Sequence, residues 1–306
     1  MIEAHGLTKC YGDKTAVDHI SFTVPPGTVT GFLGPNGAGK STTMRMIVGL
    51  DRPTAGTVTV NGKPYAKHHS PLREVGALLD AKAVHTGRSA RSHLRTMAAT
   101  HGISTKRVDE VIEMTGLTGV AKKRVRGFSL GMGQRLGIAS AMLGDPRTLI
   151  LDEPVNGLDP EGVKWVRHLV RDLAAEGRTV FLSSHLMSEM AQTADQLFVI
   201  GRGRIIAAGP VQEVIDSVTG AIVRVRSPHA TELADLVRAE GVTITSGEPG
   251  SLELHGVTAE QIGGTAAAHG IVLHELSLQR ASLEDAYMNL TQDAVEYRSE
   301  PTPVAS

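Results

Sequence analysis

Gly34-Pro35-Asn36-Gly37-Ala38-Gly39-Lys40-Ser41 fits the pattern G-x-x-x-x-G-K-[ST], and its reading decides the fold. The glycines let the backbone curl until successive N–H groups point inward. Lys40 supplies a point charge for the β/γ-phosphates, and the Ser41 hydroxyl can ligate Mg²⁺. A glycine-rich match alone can be a flexible turn, so context matters. Val29 to Leu33 reads as a short apolar strand entering the loop, and Lys40 to Leu50 as a helix whose positive end faces the phosphates. Strand, loop and helix in that order make this a nucleotide site.

The chain has 306 residues, a length that predicts about two domains. A net charge of −1 argues against a nucleic-acid-binding surface. The single cysteine, Cys10, allows neither an internal disulfide nor a cysteine metal site and reads as a small, half-buried apolar residue. No leader pattern opens the sequence and no window is apolar for some eighteen residues, so a cytoplasmic chain without a membrane span is expected. The adjacent pair His68-His69 reads as loop surface, because neighbours in sequence do not point together.

Working outward from the loop, residues 1 to 65 alternate short β-rich runs with turns, Ile20 to Val24 closing at Pro25-Pro26-Gly27 and Thr57 to Val60 at Asn61-Gly62. They suggest an antiparallel layer beside the nucleotide core. From about Asp80 the pattern turns helical and polar. Thr148 to Leu151 and Thr179 to Leu182 are continuous apolar runs, as strands buried on both faces require, with an amphipathic helix from Val163 to Ala175 between them. A hairpin around Gly201-Arg202-Gly203 ends this part.

Residues 221 to 291 read as strand Ile222–Arg226, helix Ala230–Ala239, strands Val242–Thr245 and Leu252–Leu254, helix Ala259–Ala268, strand Ile271–Leu278 and helix Ser282–Leu290. The βαββαβ order predicts a small ferredoxin-like α+β domain. The expected domains are 1–218, with a helical subdomain at about 80–135, then 219–292, and a disordered tail over 293–306.

Strand Leu149 to Leu151 delivers Asp152 and Glu153 together at its C-terminal end, where ligands sit in open α/β sheets. Phosphoryl transfer to water needs an acidic group for Mg²⁺ and a group that positions the attacking water. Asp152 and Glu153 suit those roles.

With these residues in hand, the chain resembles the nucleotide-binding subunit of an ABC transporter over residues 1 to about 215. Leu149 to Pro154 is similar to Walker B with its catalytic glutamate, Gly157-Leu158-Asp159-Pro160 to the D-loop, and Ser183-Ser184-His185 to the switch-histidine segment. Phe128-Ser129-Leu130-Gly131-Met132-Gly133-Gln134-Arg135 resembles the signature motif. It departs from Leu-Ser-Gly-Gly-Gln but keeps Ser129 and Gly131, expected just ahead of a helix running from Gly133 that can bind a γ-phosphate. The variant is frequent in exporters whose membrane part is a separate chain.

The fold this resemblance implies is a P-loop NTPase ABC cassette: an α/β RecA-like core with an antiparallel β layer and a helical subdomain. It also implies ATP and Mg²⁺ as ligands, Glu153 and His185 as catalytic residues, and Tyr11 as the aromatic against adenine. The nucleotide would be held by Gly34 through Thr42, with Ser129 and Gly131 serving a partner's nucleotide. Ser41, Asp152 and Asp80 would hold the metal, Asp80 standing where the family carries the Q-loop glutamine. The basic run Lys122 to Arg126 reads as a solvated helix end.

The mechanism implied is a head-to-tail dimer with two ATP molecules between the copies. Through an integral-membrane permease, contacted by the helical block, the chain would sit on the inner face of the cell membrane and power export of a drug-like or lipid-like compound. The rival, a soluble member acting on ribosomes or DNA, would need a second cassette or a long coiled coil, and the chain has one P-loop and no room for the coil. No nucleic-acid partner is expected.

Overall fold

The computed structural model describes residues 1–81, 83–218, 222–239, 241–246, 249–279 and 282–291, so the expectation of a disordered tail falls outside the described residues. The chain divides into two compact units, Met1–Pro210 and Val211–Leu290.

The first unit opens with β1 (Ile2–Tyr11), β2 (Lys14–Val24), β3 (Val29–Leu33), α1 (Lys40–Ile47), β4 (Ala55–Val60), the short α2 (Pro71–Glu74) and β5 (Val75–Leu78). Helices α3 (Ala90–Thr100), α4 (Thr105–Met114) and α5 (Leu130–Met142) follow. Then come β6 (Thr148–Leu151), α6 (Pro160–Ala175), β7 (Thr179–Ser183), α7 (Met187–Thr193), β8 (Gln196–Gly201) and β9 (Arg204–Pro210).

Two sheets form. One is antiparallel, in the order β2-β1-β4; the other has six strands in the order β5-β6-β7-β3-β8-β9, parallel except for the edge strand β9. Every residue of β3, β6 and β7 is buried, which is why these runs are continuously apolar instead of alternating. The core joins the two sheets through phenylalanines: Phe22 of β2 lies 6.3, 5.9 and 5.4 Å from the rings of Phe32, Phe181 and Phe198. Such aromatic contacts bury large apolar area and fix the sheet carrying the nucleotide loop against its antiparallel cover.

The helical block is built on spaced apolar residues and serine caps. In α3 the buried positions Ala90, Leu94 and Ala98 recur every four residues, and in α4 they are Val108, Val111 and Ile112. Ser89, Ser104 and Ser129 each accept an N–H three residues on, starting α3, α4 and α5.

Here the structure corrects the sequence reading. Helix α5 begins at Leu130, not Gly133, because the Ser129 cap outweighs the low helix propensity of Gly131 and Gly133. Likewise α6 starts at Pro160 rather than Val163, with Asp159 Oδ1 accepting the Gly162 N–H. The basic run Lys122 to Arg126 is a mostly exposed segment that ends in a single 3-10 turn at Val125–Gly127 rather than an α-helix end, stitched to the segment before α3 by Val125 N–H to Arg88 O and Arg126 N–H to Thr86 O.

The second unit comprises α8 (Val211–Val218), β10 (Ile222–Arg226), α9 (Ala230–Val237), β11 (Thr243–Ser246), β12 (Ser251–His255), α10 (Ala259–Ala268), β13 (Glu275–Gln279) and α11 (Leu283–Thr291). Its four strands make an antiparallel sheet in the order β11-β12-β10-β13, the order of a split βαβ unit. Val223, Val225, Leu233, Leu252, Leu254 and Ile262 form its own core. The strand expected from Ile271 starts only at Glu275, since Ile271 N–H instead closes the end of α10 on Ala266 O.

Candidate active site

The loop between β3 and α1 is shaped by glycines where side chains have no room. Gly37 and Gly39 have φ of 83° and 109°, and a Cβ on Gly39 would lie 2.5 Å from the Ala16 carbonyl oxygen. Helix α1 carries no acidic residue in its first turn and no side-chain cap, so its N-terminal N–H groups and positive end stay available to an anion. Lys40 is 9 % exposed and donates to Gly34 O at 2.5 Å and to Pro35 O at 3.2 Å. Burial lowers its pKa, and the negative charges of Glu153 and Asp152 raise it in opposition.

Beside the loop, strand β6 ends at Asp152 and Glu153. Ser41 Oγ donates to Asp152 Oδ2 at 2.6 Å, while Ser183 Oγ, at the end of β7, donates to Asp152 Oδ1 at 2.5 Å. A hydroxyl and a carboxylate oxygen thus converge from the loop and the strand end, a hard-oxygen pair that suits Mg²⁺. Among the described residues no group of three or more His, Cys, Asp or Glu side chains could hold a metal by itself.

Glu153 turns sharply, with φ of 52°, in the left-handed region that non-glycine residues seldom occupy. Its carboxylate Oε2 lies 2.7 Å from His185 Nδ1 and accepts the His185 N–H at 3.3 Å. Behind this pair, Arg167 of α6 holds α7 through Glu189 at 2.5 Å and Gln192 at 2.7 Å, which fixes the segment following His185.

Lys40, Ser41, Asp152 and Glu153 share a cleft of about 410 Å³, whose lining also includes Asn36, Asp80, Leu130, Gln134 and Gly157. The structure therefore brings Asp80, expected only from its place in the chain, to the same space as the lysine and the acidic pair. Tyr11 is half-exposed outside that cleft. Its hydroxyl donates to Asp51 at 2.9 Å and interacts with Thr42 of α1, and Lys9 Nζ sits 4.9 Å from its ring centroid. Ser129 and Gly131 do not line the cleft. Ser129 is an exposed N-cap, and a Cβ on Gly131 would lie 2.8 Å from Gly157 O, so the start of α5 and the Gly157 turn are packed on one another.

Two residues at the site carried no role in the sequence reading. Ser183 is fully buried and bonds both Asp152 and the Glu153 N–H, at 3.0 Å for the latter; Gln134, 4 % exposed, donates to Glu153 O at 2.8 Å. The available signal was their place inside motif segments, Ser183 two residues before His185 and Gln134 in the run from Phe128 to Arg135.

Comparison with known proteins gives the chain its relatives. Residues 17–156 match the family described as ABC transporter, and residues 221–284 match a family described as a domain of unknown function. The chain is 44 % identical to the bacitracin transport ATP-binding protein of Bacillus licheniformis over 69 % of its own length and 70 % of that protein's. It is 35 % identical to an ABC transporter ATP-binding protein of Bacillus subtilis over 97 % of each chain. A solved ATP-binding subunit of an ABC transporter superposes with a TM-score of 0.65 at 26 % identity, covering 71 % of this chain and 92 % of that one.

Proposed function

Since this chain belongs to the ATP-binding subunits of ABC transporters and is an ATPase, we propose that it hydrolyses ATP at the Lys40–Asp152–Glu153 cleft to drive export through a separate membrane permease. The observation that carries this reading is the convergence of Lys40, the Ser41–Asp152 pair and Glu153 on one cleft, with His185 bonded to the Glu153 carboxylate. Lys40 and the N–H groups of α1 receive the β/γ-phosphates, and Ser41 and Asp152, with Asp80 within the same cleft, hold Mg²⁺. When bound, that ion neutralises phosphate charge. Glu153 orients and polarises the attacking water, and His185 fixes the Glu153 carboxylate. Tyr11 offers its ring to adenine.

Ser129, exposed at the cap of α5, and Gly131, partly buried in its first turn, serve the nucleotide of a second copy. The Ser129 cap takes the Met132 N–H, and the Leu130 and Gly131 N–H groups ahead of it lack intrahelical acceptors and can meet a γ-phosphate. A two-fold axis then closes two equivalent sites. The resemblance to the bacitracin transport protein supports a drug-like exported compound. Among the described residues no helix is long and apolar enough to cross a membrane, which fits a permease carried on another chain.

A groove of about 500 Å³ lies where α3 and α5 meet the sheet, with Tyr65, Leu72, Leu79, Val84 and Met97 along it and Asp80 shared with the nucleotide cleft. This is the surface proposed for the permease, because Asp80 lets each site feel the other. Met97→Glu places a charge in that groove. It should abolish permease-stimulated ATP turnover and co-purification with the membrane subunit, while leaving the basal rate within about twofold. Unchanged stimulation would remove the groove from the account.

The second unit regulates or stabilises the dimer and takes no part in hydrolysis, a reading supported by its separate core. Truncation after Pro210 should leave Mg-ATP affinity within about twofold and weaken dimerisation about tenfold, roughly 1.4 kcal/mol. A truncated chain that keeps its circular dichroism but no longer binds Mg-ATP would assign this unit to the active site.

A further inference from the structure

Both backbone groups of Glu153 are held by side chains from distant elements. Its N–H donates to Ser183 Oγ at 3.0 Å, and its C=O accepts from Gln134 Nε2 at 2.8 Å. The residue stands in a costly conformation, at φ of 52° and directly before Pro154. A non-glycine residue in that region, and a helical backbone before proline, are each disfavoured by local sterics. Such a backbone persists only where its surroundings over-determine it, at a cost on the order of 1–3 kcal/mol. Ser183 and Gln134 supply that determination.

Gln134 differs from Ser183 in where it comes from. It lies in α5, just inside the helix that Ser129 caps, and it is 4 % exposed in a helix whose other buried residues are apolar or glycine, among them Leu136, Gly137 and Ile138. The Glu153 carbonyl also accepts the Asn156 N–H of the following turn at 3.2 Å, so Gln134 is its second and shorter donor, and the one that comes from another element. The helix is thus bonded at one end to the backbone of Glu153, while its first turn packs on Gly157 with no room for a Cβ on Gly131.

We propose that Gln134 is a positioning residue for hydrolysis: its amide holds the Glu153 backbone so that the carboxylate faces the water, and it transmits the placement of α5 to that carboxylate. This rests on the reading of Glu153 as the group that polarises water. Displacement by about 1 Å of a group that must orient a reactant can cost a factor of 10² in rate. Gln134 borders the nucleotide cleft, but its amide is engaged by the Glu153 carbonyl, and the phosphate-binding groups are Lys40 and the N–H groups of the loop and α1.

The test is steady-state and single-turnover ATPase kinetics on the full chain. Gln134→Met keeps the length and volume but has no donor, and Gln134→Asn keeps the amide but falls one methylene short. Each should lower kcat by about 10- to 100-fold with the Kd for Mg-ATP within about twofold. In a Glu153→Gln background, Gln134→Met should add no further loss, because both changes act on one group. An unchanged kcat in the folded Met and Asn variants would overturn the proposal, as would a loss that multiplies that of Glu153→Gln or a raised KM with kcat intact. A near-normal rate for Glu153→Gln alone would instead overturn the role of Glu153, so the two failures are told apart.

Discussion

ATP turnover by the Glu153→Gln protein is expected to fall by a factor of about 10²–10⁴ while Mg-ATP stays bound. The amide has the size of the carboxylate, so the cleft keeps its shape, and the backbone bonds to Ser183 and Gln134 do not involve the side chain. What is lost is the negative oxygen that now faces His185 at 2.7 Å and that must take up or polarise a water proton. Because binding survives and hydrolysis does not, the copies remain joined by uncleaved ATP. Size-exclusion chromatography with Mg-ATP should show a persistent dimer that wild-type protein shows only transiently. Turnover near the wild-type rate would remove Glu153 from the chemistry.

Lys40→Ala acts one step earlier. The ammonium is buried against the Gly34 and Pro35 carbonyls and lies within the field of Asp152 and Glu153, so it is the one cation placed for phosphate among the cleft residues named above. A charge-assisted hydrogen bond to a phosphate contributes about 1.5–3 kcal/mol, which predicts an affinity loss of roughly 10- to 100-fold and turnover too slow to matter. Equilibrium titration with a fluorescent ATP analogue reads the loss directly. Affinity within about twofold of wild type would mean that the loop N–H groups alone hold the nucleotide.

Much of the site was legible because phosphate chemistry demands contiguous residues. The loop from Gly34 to Ser41, and the acidic pair at the end of an apolar strand, each state their role within a few positions. Gln134 and Ser183 were not legible for the converse reason. Their partner, the Glu153 backbone, is brought to them from other elements only by the sheet order and by the packing of α5. Helix α5 starts at Leu130, three residues before the expected Gly133, because the Ser129 cap carries the glycines of its first turn into the helix. The run from Ile271 was misread because apolar residues that close a helix end look like those that pair in a sheet.

The claim that each hydrolytic site is shared between two copies is tested most directly by mixing two inactive variants. Lys40→Ala spoils the loop that a copy uses for itself, and Ser129→Arg spoils the helix start that it lends to its partner, at a capping cost of about 1 kcal/mol. In a mixed dimer both lesions fall on one composite site and the other is unmutated. If subunits exchange at random, an equal mixture should regain about a quarter of the wild-type turnover, half of the dimers being mixed and each of these having one intact site. A mixture that gives only the sum of its two inactive components, after exchange has been shown by differential labelling, would contradict the shared site.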